Sequence, residues 1–215
     1  MTAASDLNDV LNRFSIWLAS ELPEVLAALL PGATEAQLNA FEARIGQPLP
    51  SDVRALYSWR NGQEQDNLVT GPFFGLTFLP LPEVARQWTG WQEVLAGMPE
   101  LGEPDDEYTS KPAGAVQQIY ISSGWIPFAY DHGGNHLGID LTPGPAGTSG
   151  QIINFGRDEY DRVVLAASMS GFLEWLVSQY ETGNFLIEDE GDGERSLNTR
   201  TPASRHFLDA VRTMF

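Results

Sequence analysis

The stretch WIPFAYDHGGNHLGIDL, residues 125–141, sets two runs of aromatic and aliphatic residues on either side of Asp131-His132-Gly133-Gly134. Short runs of this kind, separated by Gly, Asn and Asp, read as strands, so the stretch predicts a hairpin. Four further segments share that character: FFGLTFL (73–79), VQQIYI (116–121), QIINF (151–155) and RVVLAA (162–167). With the hairpin they make six strands joined by turns, which predicts a predominantly antiparallel sheet. GPAGTSG (144–150) reads as a flexible connection between two of them.

Upstream of the first strand the apolar period is helical. Leu7, Val10, Leu11, Phe14 and Leu18 form one stripe, with Ser5 as its N-cap. A second helix opens at Pro23 and carries Val25, Leu26, Leu29 and Leu30 until Pro31-Gly32 stops it. In a third, Thr34 and Gln37 spell a capping box, Leu38, Phe41 and Ile45 share a face, and Gly46 ends it. Ser51 caps a fourth that must end near Asn61-Gly62. Residues 82–96 read as a helix, and EPDDEYTSKPAG (103–114) as an exposed acidic loop. Ser168 caps a closing helix with Phe172, Trp175, Leu176 and Tyr180.

Helices, then strands, then a helix specify an α+β fold, with helices packed on one face of the sheet and extra helices at both termini. The expected main domain is residues 1–187. EDEGDGE (188–194) reads as a solvated linker, followed by a short helix that opens at Thr201-Pro202 and carries Phe207, Leu208 and Val211.

Composition narrows the function classes. Twelve basic residues against 29 acidic ones give a net charge of −17, with Lys111 the sole lysine. Without clustered cations to replace phosphate counterions, nucleic acid is not an expected partner. The absence of cysteine removes disulfides, thiolate metal sites and cysteine nucleophiles, and fits a reducing compartment. MTAASDLND lacks a basic n-region, and the longest apolar run, Val25 to Leu30, is far short of a bilayer span. The expectation is a cytoplasmic protein with no membrane partner.

ATEAQLNAFEARIGQPLPSDVRALYSWRNGQ (33–63) resembles the opening signature of the SUKH (Smi/Knr-like) superfamily: a capped helix, Gly, Leu-Pro, a second helix, Asn-Gly. FFGLTFLPLPEVARQW is similar to that family's strand-to-helix step, WIPFAYDHGGNHLGIDL to its central hairpin, and SMSGFLEWLVSQYETG to its closing helix. The resemblance covers about residues 30–183; the two ends have no counterpart in it, and the loop from Gly97 to Gly114 is long for its position. It implies one of two non-enzymatic roles. One is a bacterial immunity protein that neutralises a toxin, often a nuclease; the other is a fungal regulator of cell-wall assembly.

Enzymatic chemistry finds little support. His132 and His136 flank Gly133-Gly134, where a helical zinc motif cannot form and a hairpin turn would splay the rings. Ser122, Ser123 and Asp131 complete no G-x-S-x-G elbow, and neither a Walker loop nor G-x-G-x-x-G occurs. A hydrolase or metal site at the 131–140 turn is therefore the minor alternative, and no cofactor is expected. Most of the tryptophans read as core rather than as a ligand pocket.

The resulting expectation is a protein-binding domain, foremost an immunity protein whose carboxylates occlude the cationic cleft of a basic toxin, with a regulatory scaffold as the alternative. The residues expected to meet the partner are Asp105, Asp106, Glu107 and Tyr108 in the long loop, Asp131 at the hairpin, and Glu188, Asp189 and Glu190 in the tail, with Trp91 a further aromatic anchor. Rim carboxylates would raise the association rate, while affinity would depend on the anchors.

Overall fold

The computed structural model describes residues 7–64, 69–191 and 193–215. Ser5, the expected cap of the first helix, and Asp192 lie outside them. The chain begins with α1 (Leu7–Glu21) and α2 (Pro23–Ala28). The second helix stops two residues before the expected end, because Leu30 precedes a proline and is pushed toward extended backbone. Leu29–Pro31 instead forms β1, antiparallel to β2 (Arg60–Gln63). Between them lie α3 (Glu35–Ile45) and α4 (Ser51–Trp59). The capping box of α3 is present: Gln37 N donates to Thr34 Oγ1 at 3.3 Å and Thr34 N to Gln37 Oε1 at 2.8 Å. Ser51 is not a cap. Pro50 holds that position, and the neighbouring Asp52 accepts from Val53 N and from Ser170 N at 2.9 Å, tying α4 to a distant helix. Gly62 has φ +78°, and a Cβ there would lie 2.2 Å from Pro80 N, so this turn requires glycine on both counts.

The main sheet runs β3 (Thr77–Phe78), β5 (Trp125–Tyr130), β6 (Asn135–Asp140), β7 (Gln151–Gly156), β8 (Asp161–Ala166) and β4 (Thr109–Lys111), in that spatial order. All neighbours are antiparallel except β4 and β8, which are parallel. The sheet is bounded by two of its shortest strands, of two and three residues. The expected hairpin is β5–β6. Its central proline, Pro127, sits beside a register shift at Phe128, the usual way a strand accommodates a residue without an N–H.

Two expected strands are corrected. FFGLTFL pairs only through Thr77 and Phe78, while Phe73 and Phe74 drop into the core. VQQIYI forms no strand. Val116, Ile119 and Ile121 cover the second face of the sheet while their segment's backbone bonds elsewhere, Val116 N to Ser110 Oγ and Tyr120 N to Leu101 O. The sixth strand comes from the expected acidic loop, at Thr109–Lys111.

Alternation along the strands separates two cores. Ile126, Leu137, Ile139, Ile152, Val163 and Leu165 face a large core shared with α1, α4 and α6 (Met169–Glu181), the last capped by Ser168. Trp125, Ile153 and Phe155 face the opposite side, beneath residues 116–121 and the end of α5 (Leu81–Gly97).

The expected linker is a hairpin, β9 (Phe185–Gly191) with β10 (Glu194–Arg200), extended by β11 (Ala203–Ser204) and followed by α7 (Phe207–Met214) rather than by a helix at Pro202. Leu197, Phe207, Leu208 and Val211 are buried in the large core, with Phe207 5.0 Å from the ring of Phe74. The five acids hid this, because the apolar residues that anchor the segment lie on either side of them.

A polar contact adds to that anchorage. The Nε2 of His206 lies 3.4 Å from Asp131 Oδ2. Burial pushes the Asp131 carboxyl up, but hydrogen bonds from His206, Asn135 and Gly133 outweigh it and hold the group well below the ordinary carboxylate range. The hydrogen bond to Asp131 raises His206, with further help from the charges of Asp209 and Glu159. The contribution of Asp131 is present above its unfolded pKa of about 4 and lost as pH falls through the depressed folded value. That of His206 is complete below about 6.5 and lost as pH rises through its raised folded value. Both operate between these limits.

Two measurements check this arrangement. Leu197→Ala should cost roughly 2–5 kcal/mol in urea unfolding, as for a core leucine, where a linker residue would cost about 0.5 kcal/mol or less. The stability lost in His206→Gln should be larger at about pH 5 than at about pH 8.5; an equal loss at both would exclude the ion pair.

Candidate protein-binding surface

The turn between β7 and β8, Arg157–Tyr160, is the hub of the polar end of the sheet. Gly156 enters it with φ +151°, and a Cβ there would lie 2.4 Å from Asn135 Cα, so the turn is pressed against the start of β6. Asn135 then bridges two turns: its Oδ1 accepts from Asp158 N at 2.8 Å, and its Nδ2 donates to Asp131 Oδ2 at 2.8 Å and Asp158 Oδ2 at 3.3 Å. Asp131 Oδ1 accepts from Gly133 N and Asn135 N. With His206 added, the carboxylate is committed, and its side chain is only 3% exposed. Asp131 is a structural bracket rather than a partner contact.

On the other side of the hub, Tyr160 stacks on Tyr108 at 5.7 Å and 7°. Tyr108 is buried, whereas Tyr160 is 50% exposed. Beneath them Arg162 is fully buried, its guanidinium 4.8 Å from the Tyr108 ring centroid and 5.3 Å from that of Trp125. Its Nη2 donates to Tyr120 O at 2.8 Å, and burial lowers its pKa to about 10. Glu159 is also buried, and burial pushes its carboxyl up while a hydrogen bond from Asn154 opposes the rise. Thr109 Oγ1 donates to Asp161 Oδ1 at 2.7 Å, fixing the acidic loop to β8.

The expected partner-contact acids divide by their bonding partners. Asp105 Oδ1 accepts from Glu107 N at 2.9 Å in a local turn, and Asp105, Asp106 and Glu107 are all exposed. Between Arg86 and Lys111 the chain has six acids and no cation. Among the described residues none of these six lies within 4.0 Å of a basic group. The tail acids differ. Glu190 bonds Arg205 and Ser196, Glu188 accepts from Asn198 and lies 3.9 Å from Arg205, and Asp189 accepts from Gly191 N. Arg205 and His206, adjacent in sequence, link this hairpin to the bracket at Asp131. Trp91 packs edge-on against Tyr120 and His136 instead of standing free.

Sequence reasoning missed Asp158, Tyr160, Asp161 and Arg162. A signal was present in GRDEYD (156–161), with three acids and a tyrosine between two strands.

The histidines of the central turn are each occupied separately. His132 Nε2 lies 2.8 Å from Thr77 Oγ1 and His136 Nε2 2.5 Å from Gln87 Oε1. Burial lowers His136 to about 3, so it is neutral. Among the described residues no group of three or more His, Asp or Glu could hold a metal ion, and no helix is long and apolar enough to cross a membrane.

Charge is distributed more evenly than the total suggests. Seven arginines form ion pairs with twelve carboxylates among the described residues, including Arg13 with Asp9, Glu174 and Glu181, and Arg54 with Glu35 and Glu42. The longest run of acids without an arginine partner is residues 93–107, from Glu93 near the end of α5 into the loop that follows.

Comparison with known proteins bears on the two branches of the resemblance. Over 207 residues, 93% of this chain and 41% of the relative, the chain is 33% identical to the cell wall biosynthesis/cell cycle regulator smi1 of Schizosaccharomyces pombe. It is 30% identical over 203 residues to the glucan synthesis regulatory protein of Neurospora crassa, covering 81% of this chain and 38% of that protein. It is 28% identical over 231 residues to the cell wall assembly regulator SMI1 of Saccharomyces cerevisiae, covering 89% and 45%. The chain thus spans about two fifths of the length of these relatives. All three are fungal regulators, which corrects the expectation of a bacterial immunity protein acting in toxin neutralisation; the local pairing of carboxylates with arginines weakens the same expectation on physical grounds. The family model described as SMI1 / KNR4 family (SUKH-1) matches residues 32–175, and with two thirds of its length inside that match the chain belongs to this family.

Proposed function

We propose that this chain is a non-enzymatic, cytoplasmic protein-binding domain that acts as a regulatory scaffold of the cell-wall-assembly type. The names of its fungal relatives support the regulatory role, and they name no reaction. The observation that carries the binding role is the loop after α5, holding Glu100, Glu103, Asp105, Asp106 and Glu107 with no basic group within 4.0 Å among the described residues, beside a half-exposed tyrosine. Unpaired carboxylates steer a basic partner, and a rigid aromatic ring seated on a stacked neighbour loses little entropy when it is covered.

The residues proposed to meet the partner are Asp105, Asp106 and Glu107 as steering charges and Tyr160 as the anchor. Tyr108 supports Tyr160 from below. Glu188, Asp189 and Glu190 contribute less, because Arg205 already offsets two of them.

The test is capture on the immobilised chain from a Schizosaccharomyces pombe extract. Proteins of wall synthesis or the cell cycle should be retained at low salt and released as ionic strength rises, since exposed charges are screened within a Debye length of about 8 Å at physiological salt. The variant Asp105→Asn, Asp106→Asn, Glu107→Gln should associate more slowly and lose most of that salt dependence. Tyr160→Ala should instead speed dissociation. Retention unchanged in both variants would reject this surface.

A further inference from the structure

The three-stranded sheet runs β11, β10, β9, so β10 is paired on both sides and β9 on one. Among the described residues no further strand is bonded to the other edge of β9, and no other strand with an open edge is as long. Every second residue of such a strand turns its N–H and C=O away from the strand it pairs with. Arg200 takes up the carbonyl of Phe185 at the near end; beyond it the outward groups have no strand to bond. The edge is accessible: Glu188, Asp189, Glu190 and Gly191 are exposed, and Phe185, Leu186 and Ile187 are partly so.

The strand has an apolar half and an acidic half. Phe185 and Ile187 rest on the large core, Phe185 edge-on to Trp17 at 5.0 Å, and Leu186 lies across from Asn198 on the opposite face. The hairpin and its flank then hold Glu188, Asp189, Glu190, Asp192 and Glu194 against Arg195, Arg200 and Arg205. Arg195 is taken by Glu24, whose Oε1 is 2.7 Å from its Nε, and Glu21 acts on it as well. Arg200 bonds the carbonyls of Gly183 and Phe185 at the far end. Arg205 alone is left for Glu188 and Glu190, and His206 is matched by Asp131. With Glu21 and Glu24 counted in, seven acids meet three arginines, so the balance at this end of the hairpin is negative.

We infer that the open edge of β9 takes up an extended, basic segment of a partner protein as an added strand, with apolar residues beside Phe185, Leu186 and Ile187 and Lys or Arg beside Glu188, Asp189 and Glu190. Strand addition draws its affinity from main-chain hydrogen bonds and its selectivity from the side chains laid next to each other. Opposite charges directly across a pair of strands stabilise it and like charges oppose it. A second copy of this chain brings the same acids to the edge and is a poor match, so the carboxylates exclude self-pairing while admitting a cationic strand. This site lies on the second sheet and is separate from the loop of residues 100–107.

The test uses a short extended peptide of Val and Thr followed by Lys and Thr, its counterpart with Glu for Lys, and the Lys peptide N-methylated at alternate residues. Binding to the full chain is followed by amide NMR shifts, hydrogen exchange and titration calorimetry. The Lys peptide should shift the resonances of β9 and slow exchange at alternate amides between Phe185 and Gly191; the Glu and N-methylated peptides should bind weakly or not at all. The variant Glu188→Gln, Glu190→Gln should weaken the Lys peptide roughly two- to thirtyfold. Both positions are exposed, and circular dichroism reports whether the fold is kept; the exchange map of the unaltered chain stands whatever the variant does. The loop variant Asp105→Asn, Asp106→Asn, Glu107→Gln should bind the Lys peptide as the unaltered chain does, which separates this inference from the reading of that loop. Exchange at β9 unchanged by the peptide, equal binding of the N-methylated or Glu form, equal affinity in the β9 variant, or loss of binding in the loop variant would each overturn it. So would slowing of the same amides with protein concentration alone, which would assign the edge to a second copy.

Discussion

The second face of the sheet depends on one buried cation. Arg162 lies on the same side of β8 as Val164, opposite Val163 and Leu165, so its guanidinium enters an apolar layer where an unpaired charge is costly. Two aromatic faces and two main-chain carbonyls offset that cost. The carbonyls belong to Ile119 and Tyr120 and one ring to Tyr108. Residues 108–120, which have little regular structure of their own, are thereby gathered over the sheet. Tyr160 can stand half-exposed only because Tyr108 is fixed beneath it.

Much of the fold was legible because it rested on local rules. Thr34, Gln37 and Gly46 bracket a helix by hydrogen bonds among near neighbours, and the hairpin at Gly133-Gly134 follows from turn chemistry. What failed was nonlocal. Val116, Ile119 and Ile121 have the composition of a strand, but the place they would have filled in the ladder went to Thr109–Lys111, which carries no apolar signal. Glu188, Asp189, Glu190 and Glu194 read as solvated, although the strands that hold them are anchored by Leu197 and Phe207 some residues away. Of the binding surface, the loop acids were visible as composition. Asp131 and Tyr108 were misjudged because burial cannot be read from residue type, and Tyr160 was passed over because its exposure depends on a stacking partner far off in sequence.

Net charge proved a poor guide to surface potential. Most arginines are spent in local pairs, and the longest run of acids left without one lies along residues 93–107. A single total of −17 conceals this unevenness.

The six-stranded sheet ends on strands of two and three residues, the second pinned by Thr109 to Asp161. A margin that short offers too few free amides and carbonyls to template a neighbouring chain. Any association at the margins of this sheet therefore rests on side chains, and the one long open edge is left to the second sheet, where the outer half of the seven-residue β9 is lined with acids that discourage an added strand of like charge.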